Sequence, residues 1–156
     1  MRISGLLSED KVIPDLKAKD RDDALRQMVA FLKDKEVITN ETELFEKLVQ
    51  RENLGSTAVG EGIAIPHCKL AEVNEPLVVL AVSRKGVPFF SLNGKPTSVF
   101  FLVISPPENP SLNLQILAAI AQLVRKVSSL PKKIIGAKTP RRMLEIIREE
   151  EEKLHE

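Results

Sequence analysis

A chain of 156 residues with 43% hydrophobic and 29% charged side chains has a globular composition, which argues against disorder, and its length suits one domain over residues 1–156. A formal charge of +1, no tryptophan, no tyrosine and six phenylalanines exclude a bulk electrostatic attraction to nucleic acid or anionic membrane, and also a stacking platform for single strands. One cysteine rules out an internal disulfide, and no apolar run approaches the roughly 18 residues of a membrane span. With Glu9 and Asp10 ahead of any signal-length apolar core, a soluble cytoplasmic protein without membrane insertion is expected.

The first periodic segment, DRDDALRQMVAFLKDKEVI, opens on acidic residues and places Ala24, Met28, Phe31 and Leu32 at helical spacing. NETELFEKLVQRENLG follows, with Asn40 and Glu43 spaced as a capping box and Leu44, Leu48 and Val49 as its apolar stripe. Between Gly60 and His67, Ile63 and Ile65 alternate with Ala64, as in a short half-buried strand. PLVVLAVS and TSVFFLVIS are continuous apolar, β-branched runs that suit central strands covered on both faces. The Asn-Gly pair in LNGK predicts a turn joining short strands near Phe89–Phe90 and Thr97.

After SPPENP, the segment SLNLQILAAIAQLVRKV predicts a helix capped by Ser111, with Leu114, Leu117, Ala121 and Val124 on one face. TPRRMLEIIREEEEKL predicts a last helix with Thr139 as cap, Pro140 at the first position and Glu149–Glu152 as a solvated end. Two helices, a group of strands and two or three further helices describe an α/β sandwich on a mixed sheet.

The chemistry concentrates in GEGIAIPHCKL. Pro66 fixes its own φ and extends Ile65, so the backbone entering His67 is stiff. A solitary histidine is more often a hydrogen-bonded structural residue than a reactive one. Metal ligation is disfavoured, because the adjacent side chains of His67 and Cys68 diverge on extended backbone and His155 lies at the far end. The same adjacency argues against a Cys–His nucleophilic pair and makes Cys68 a small, semi-buried filler. No cofactor motif is present: there is no phosphate-binding P-loop, no GxGxxG and no GxSxG. What remains is histidine as a phosphoryl acceptor, which needs a neutral ring nitrogen and positive or N–H-rich surroundings. In RENLGST, Arg51 is a candidate forked phosphate donor, with Ser56 and Thr57 as supporting hydroxyls. A solvated arginine at a helix C-terminus is an equally ordinary reading of Arg51.

The pairing of RENLGSTAVGEGIAIPHCKL with GVPFFSLNGKPTSVFFLVISPPENPSLNLQILAAIAQL resembles the EIIA domains of the fructose/mannitol class of the bacterial phosphoenolpyruvate-dependent sugar phosphotransferase system, over about Leu6 to Ile147. The resemblance implies a five-stranded mixed sheet with helices on both faces. It places the phosphoryl-accepting histidine on His67 and its neighbouring arginine on Arg51, with HPr as donor and a cysteine of an EIIB partner as acceptor. Family members often carry a second histidine at the start of the helix after the Pro-rich loop; here Asn113 occupies that position. An asparagine amide donates a hydrogen bond but does not titrate. Two uses of this chemistry follow: a phosphocarrier feeding uptake of a fructose- or mannitol-like sugar, or a nitrogen-type regulatory module whose affinity for a target protein is switched by phosphorylation of His67.

Overall fold

The structure, a computed structural model, describes residues 1–155. Two helices come first, α1 (Arg21–Asp34) and α2 (Glu41–Leu54). The Asp20 side chain accepts from the N–H of Asp23 at 2.8 Å, and Asp22 and Asp23 sit in the first turn, where the helix dipole favours negative charge. Asn40 caps α2 by accepting from the N–H of Glu43 at 3.0 Å. The expected capping box is half formed: the N–H of Asn40 donates to Glu72 at 3.2 Å instead of to Glu43.

Six strands make one mixed sheet: β1 (Val12–Ile13), β2 (Ala58–Gly60), β3 (Ile63–Ala64), β4 (His67–Lys69), β5 (Leu77–Val87) and β6 (Thr97–Ser105). Their order is β1-β5-β6-β3-β2, with β4 also paired to β6. The resemblance implied five strands. The sixth arises because β3 and β4 lie parallel to β6 at successive registers, Ile63 opposite Val99 and His67 opposite Val103. They share one lane, interrupted at Ile65–Pro66, where proline has no N–H to offer the ladder.

The β5–β6 pair is antiparallel and forms the centre of the sheet. Strict alternation divides its side chains between two cores. Val78, Leu80, Val82, Val99, Phe101 and Val103 pack under α3 (Pro110–Lys126), α4 (Leu130–Gly136) and α5 (Pro140–Leu154). Val79, Ala81, Phe100, Leu102 and Ile104 pack under α1 and α2. β5 bulges after Val82, and the Ser83 hydroxyl accepts from the N–H of Gly86 at 3.1 Å. Gly86 has φ +80°, and a Cβ there would lie 2.8 Å from the Cβ of Pro96, so the bulge requires glycine.

Four expectations are corrected. Phe89 and Phe90 form no strand: Phe89 is buried edge-on to Phe100 at 5.1 Å, whereas Phe90 is exposed with φ +55°. The turn after them closes from the N–H of Gly94 to the carbonyl of Ser91 at 3.1 Å. Helix α3 starts earlier than expected, because Asn109 rather than Ser111 is its cap, accepting from the N–H of Leu112 at 3.2 Å, with Pro110 in the first turn. Its buried stripe is Asn113, Ile116, Ile120, Leu123 and Val124, and Leu114 faces outward. Thr139 does cap α5, accepting from the N–H of Arg142 at 3.1 Å, but the acidic end of α5 is only partly solvated. Glu150 is buried under Lys133 at 2.6 Å, and the buried Glu151 carboxylate accepts from the N–H groups of Ile3 (2.6 Å) and Ser4 (2.9 Å).

Candidate functional site

The end of α2, the start of α3 and the end of the β6 lane converge on His67. Around the β2–β3 turn, Gly60 and Gly62 have φ of +91° and +80°. The carbonyl of Gly62 accepts from Ser98 (2.8 Å) and Val99 (3.1 Å), and that of Pro66 accepts from Val103 at 2.9 Å. The approach to His67 is thus fastened to the central strand on both sides of the proline. Ile63, Ala64, Ile65 and Pro66 are all buried, so this segment is covered on both faces rather than half-buried as its alternation predicts.

His67 is half-buried as the first residue of β4. Its Nδ1 lies 2.8 Å from the carbonyl oxygen of Ile65. A carbonyl only accepts, so Nδ1 carries the proton. Arg51 donates from Nε to His67 Nε2 at 3.3 Å, which requires a lone pair on that nitrogen. The two contacts together define a neutral imidazole with Nε2 as its free nucleophilic atom. Burial holds the imidazole below its ordinary pKa, and the positive charge of Arg51 adds to this; the Ile65 carbonyl and the Glu52 carboxylate act in the opposite sense. The Arg51 guanidinium is itself anchored, donating from Nη1 to the carbonyl of Gly55 at 2.9 Å.

His67, Arg51 and Asn113 line one depression of about 380 Å³, whose wall also includes Lys47, Leu54 and Lys69. Asn113 comes to it from the start of α3, where it is buried. The Asn113 Oδ1 accepts from the Ser105 hydroxyl at 2.8 Å, which leaves the amide NH₂ as the donor of this side chain. The hydroxyls named beside Arg51 are engaged elsewhere. Ser56 donates to the carbonyl of Phe89 at 2.7 Å, and Thr57 donates to Glu52 at 2.5 Å. Cys68 packs against the α1/α2 core while also lining the depression, and burial pushes its thiol up to about 12, so it is not a thiolate at neutral pH. His155 lies at the far end of α5. Among the described residues, no group of three or more His, Cys, Asp or Glu could hold a metal ion.

Sequence reasoning missed three neighbours of the site: the Ile65 carbonyl, Ser105 and Glu52. Only Glu52 left a trace, because it continues the buried Leu44–Leu48 stripe of α2 at four-residue spacing, an unusual place for a carboxylate.

Comparison with known proteins identifies the family. Residues 5–150 match the family described as "Phosphoenolpyruvate-dependent sugar phosphotransferase system, EIIA 2". A nitrogen regulatory protein of Bradyrhizobium diazoefficiens is 37% identical over 126 residues, covering 80% of this chain and 81% of that protein. The fructose-specific EIIABC component of Bacillus subtilis is 29% identical over 148 residues, which are 94% of this chain but only 23% of that protein. The nitrogen regulatory protein IIA-Ntr of Neisseria meningitidis superposes with a TM-score of 0.84 at 25% identity, over 93% of this chain and 98% of that one. Sequence and fold together therefore place the chain in the EIIA 2 family of the phosphoenolpyruvate-dependent sugar phosphotransferase system.

Proposed function

We propose that the protein is a phosphocarrier in which Nε2 of His67 accepts a phosphoryl group from phosphorylated HPr and passes it to a cysteine of an EIIB partner. The observation that carries this reading is the pair of contacts on the imidazole. Ile65 holds the proton on Nδ1 at 2.8 Å, and Arg51 stands 3.3 Å from the opposite nitrogen. In the first transfer the N–P bond of the donor breaks, an N–P bond forms at Nε2 of His67, and the donor imidazole leaves with its electron pair. In the second, an EIIB thiolate attacks phosphorus and His67 recovers its lone pair. No proton has to reach Nε2 at either stage, because Nδ1 stays protonated throughout.

Arg51 moves from the nitrogen to the phosphoryl oxygens and offsets their charge. The NH₂ of Asn113 donates a hydrogen bond to them without titrating, and the N-terminal end of α3 adds its positive dipole. The lysines on the wall of the depression, Lys47 and Lys69, favour a negatively charged incoming group. The relative from Bacillus subtilis, named as an EIIABC component, supports an EIIB as the onward partner.

A second use of the same chemistry is favoured by one observation: the 37% identical relative is a nitrogen regulatory protein of similar length. In that reading the charge placed on His67 switches the affinity of the surrounding surface for a target protein.

Incubation with phosphoenolpyruvate, Enzyme I and HPr, read by intact mass, tests the activity. An acid-labile gain of one phosphoryl group, absent from His67→Ala, is expected. Labelling that survives in the folded His67→Ala protein refutes the assignment. Onward transfer to a purified fructose-type EIIB then separates the transport use from a regulatory one.

A further inference from the structure

We propose that Glu52 is a positioning residue that holds His67 in its Nδ1–H tautomer through Thr57 and Ile65, an inference that rests on the phosphocarrier reading and deepens it. Glu52 is 4% exposed and touches neither ring nitrogen. Its carboxylate accepts from the N–H of Thr57 at 3.0 Å and from the Thr57 hydroxyl at 2.5 Å. The Thr57 carbonyl accepts from the N–H of Ile65 at 3.0 Å, and the Ile65 carbonyl accepts from Nδ1 of His67 at 2.8 Å. Three links therefore run from the carboxylate to the ring nitrogen.

The position of these links matters because Ile65 lies in the gap of its strand lane. Ala64 and His67 pair with β6 on either side, and the N–H of Ile65 faces the other way, to Thr57, which the β2–β3 register places opposite it. The N–H and C=O of Ile65 belong to successive peptide planes joined at one Cα, so the hold of Thr57 on the first bears on the aim of the second, and Thr57 is held by Glu52. A leucine would continue the Leu44–Leu48 stripe with no polar group to satisfy, whereas a buried carboxylate is tolerated only when fully hydrogen-bonded. Here its partners are both donors of one residue.

The last turn of α2 consequently controls both faces of the imidazole. Arg51 acts on Nε2 directly, and Glu52 acts on Nδ1 through the backbone. If the Ile65 carbonyl swings away, the proton is free to move to Nε2, and the lone pair needed to attack phosphorus is lost from the side facing Arg51.

The test is the ¹⁵N signature of His67 in full-length protein carrying ¹⁵N-labelled histidine, recorded where the imidazole is neutral. The wild type should show the Nδ1–H form. Glu52→Ala should shift the tautomer ratio towards Nε2–H about tenfold, roughly 1.4 kcal/mol and the scale of one neutral hydrogen bond. The single-turnover rate of phosphoryl acceptance at saturating HPr should fall with it, while half-saturation by HPr stays unchanged. Glu52→Gln should restore both, because its amide accepts from the Thr57 N–H and donates to the hydroxyl oxygen.

A folded Glu52→Ala protein with wild-type tautomer and rate overturns the proposal and makes Glu52 a stabilising residue only. If Glu52→Ala does not fold, Thr57→Val decides. It keeps the backbone link and loses the hydroxyl, so a measurable shift of the His67 signature supports the proposal and an unchanged one overturns it. The spectrum needs no phosphoryl donor. A wild type that takes up no phosphoryl group while its tautomer responds to Glu52 refutes the phosphocarrier reading and supports the positioning role.

Discussion

Arg51 offers the most direct perturbation of the proposed chemistry. Its Nε is 3.3 Å from Nε2 of His67, and its Nη1 is held 2.9 Å from the carbonyl of Gly55. The guanidinium is therefore anchored beside the acceptor nitrogen before the phosphoryl group arrives, and its Nε contact is the one exchanged for phosphoryl oxygen. Arg51→Ala removes one preorganised, charge-assisted donor, a loss of about 2.7–4 kcal/mol in the transition state, or a 10²–10³-fold slower transfer. A smaller effect opposes it: without the positive neighbour the His67 pKa rises, which makes the neutral imidazole a better nucleophile. Arg51→Lys keeps the charge but loses the planar fork and the anchor at Gly55, so its rate should fall between the other two. Rapid-quench phosphorylation by saturating phospho-HPr, followed by intact mass, measures all three proteins under one condition. Circular dichroism checks that each is folded. A folded Arg51→Ala protein that reacts within threefold of wild type would refute the reasoning, because the arginine would then be an ordinary helix-end cation.

The His67 titration gives a second prediction. Its pKa is depressed in the fold, so the unfolded chain takes up the proton first, at an ordinary pKa of about 6.5. The imidazole's contribution to stability is therefore intact above that pH and declines as pH falls through the lower, folded value. Urea midpoints of wild type and His67→Gln should converge on acidification across this window, and parallel curves would refute the shift. Asn113→His introduces a titrating group beside His67 and should change the transfer rate without moving the labelled residue. An unchanged rate would show that the asparagine amide serves equally well. Glu151→Ala strands the N–H groups of Ile3 and Ser4 near the buried Ile3, which should cost about 2–4 kcal/mol in urea unfolding. A loss below about 0.5 kcal/mol would show that water or a shifted backbone replaces the carboxylate.

The elements were legible wherever the local pattern had one solution. Thr139 with Pro140, Asn40, and the apolar runs at Leu77–Val82 and Thr97–Ser105 each satisfy a backbone or burial requirement on their own, and the structure keeps them all. Errors fell where the pattern was degenerate. Helix α3 is apolar around much of its circumference, with Leu112, Leu114, Ile116 and Leu117 in its first half, so two stripes fit the same period. Packing against β6, α5 and the N-terminal turn selected the stripe that includes Asn113. In the acidic run of α5, Glu149 and Glu151 have similar neighbours in sequence. Only the chain start, 148 residues away from Glu151, buries one and leaves the other exposed.

The candidate site divides in the same way. The sequence by itself determined a stiff, glycine-flanked presentation of His67 and the availability of Arg51, because proline, glycine and residue chemistry act locally. It could not determine which ring nitrogen is free. That depends on a carbonyl at Ile65, on the β2–β3 register that places Thr57 opposite Ile65, and on the proposed hold of a carboxylate at the end of α2. Hydrogen bonds between distant backbone groups carry no residue signature, since every residue supplies nearly the same N–H and C=O. Only the folded chain decides which of them meet.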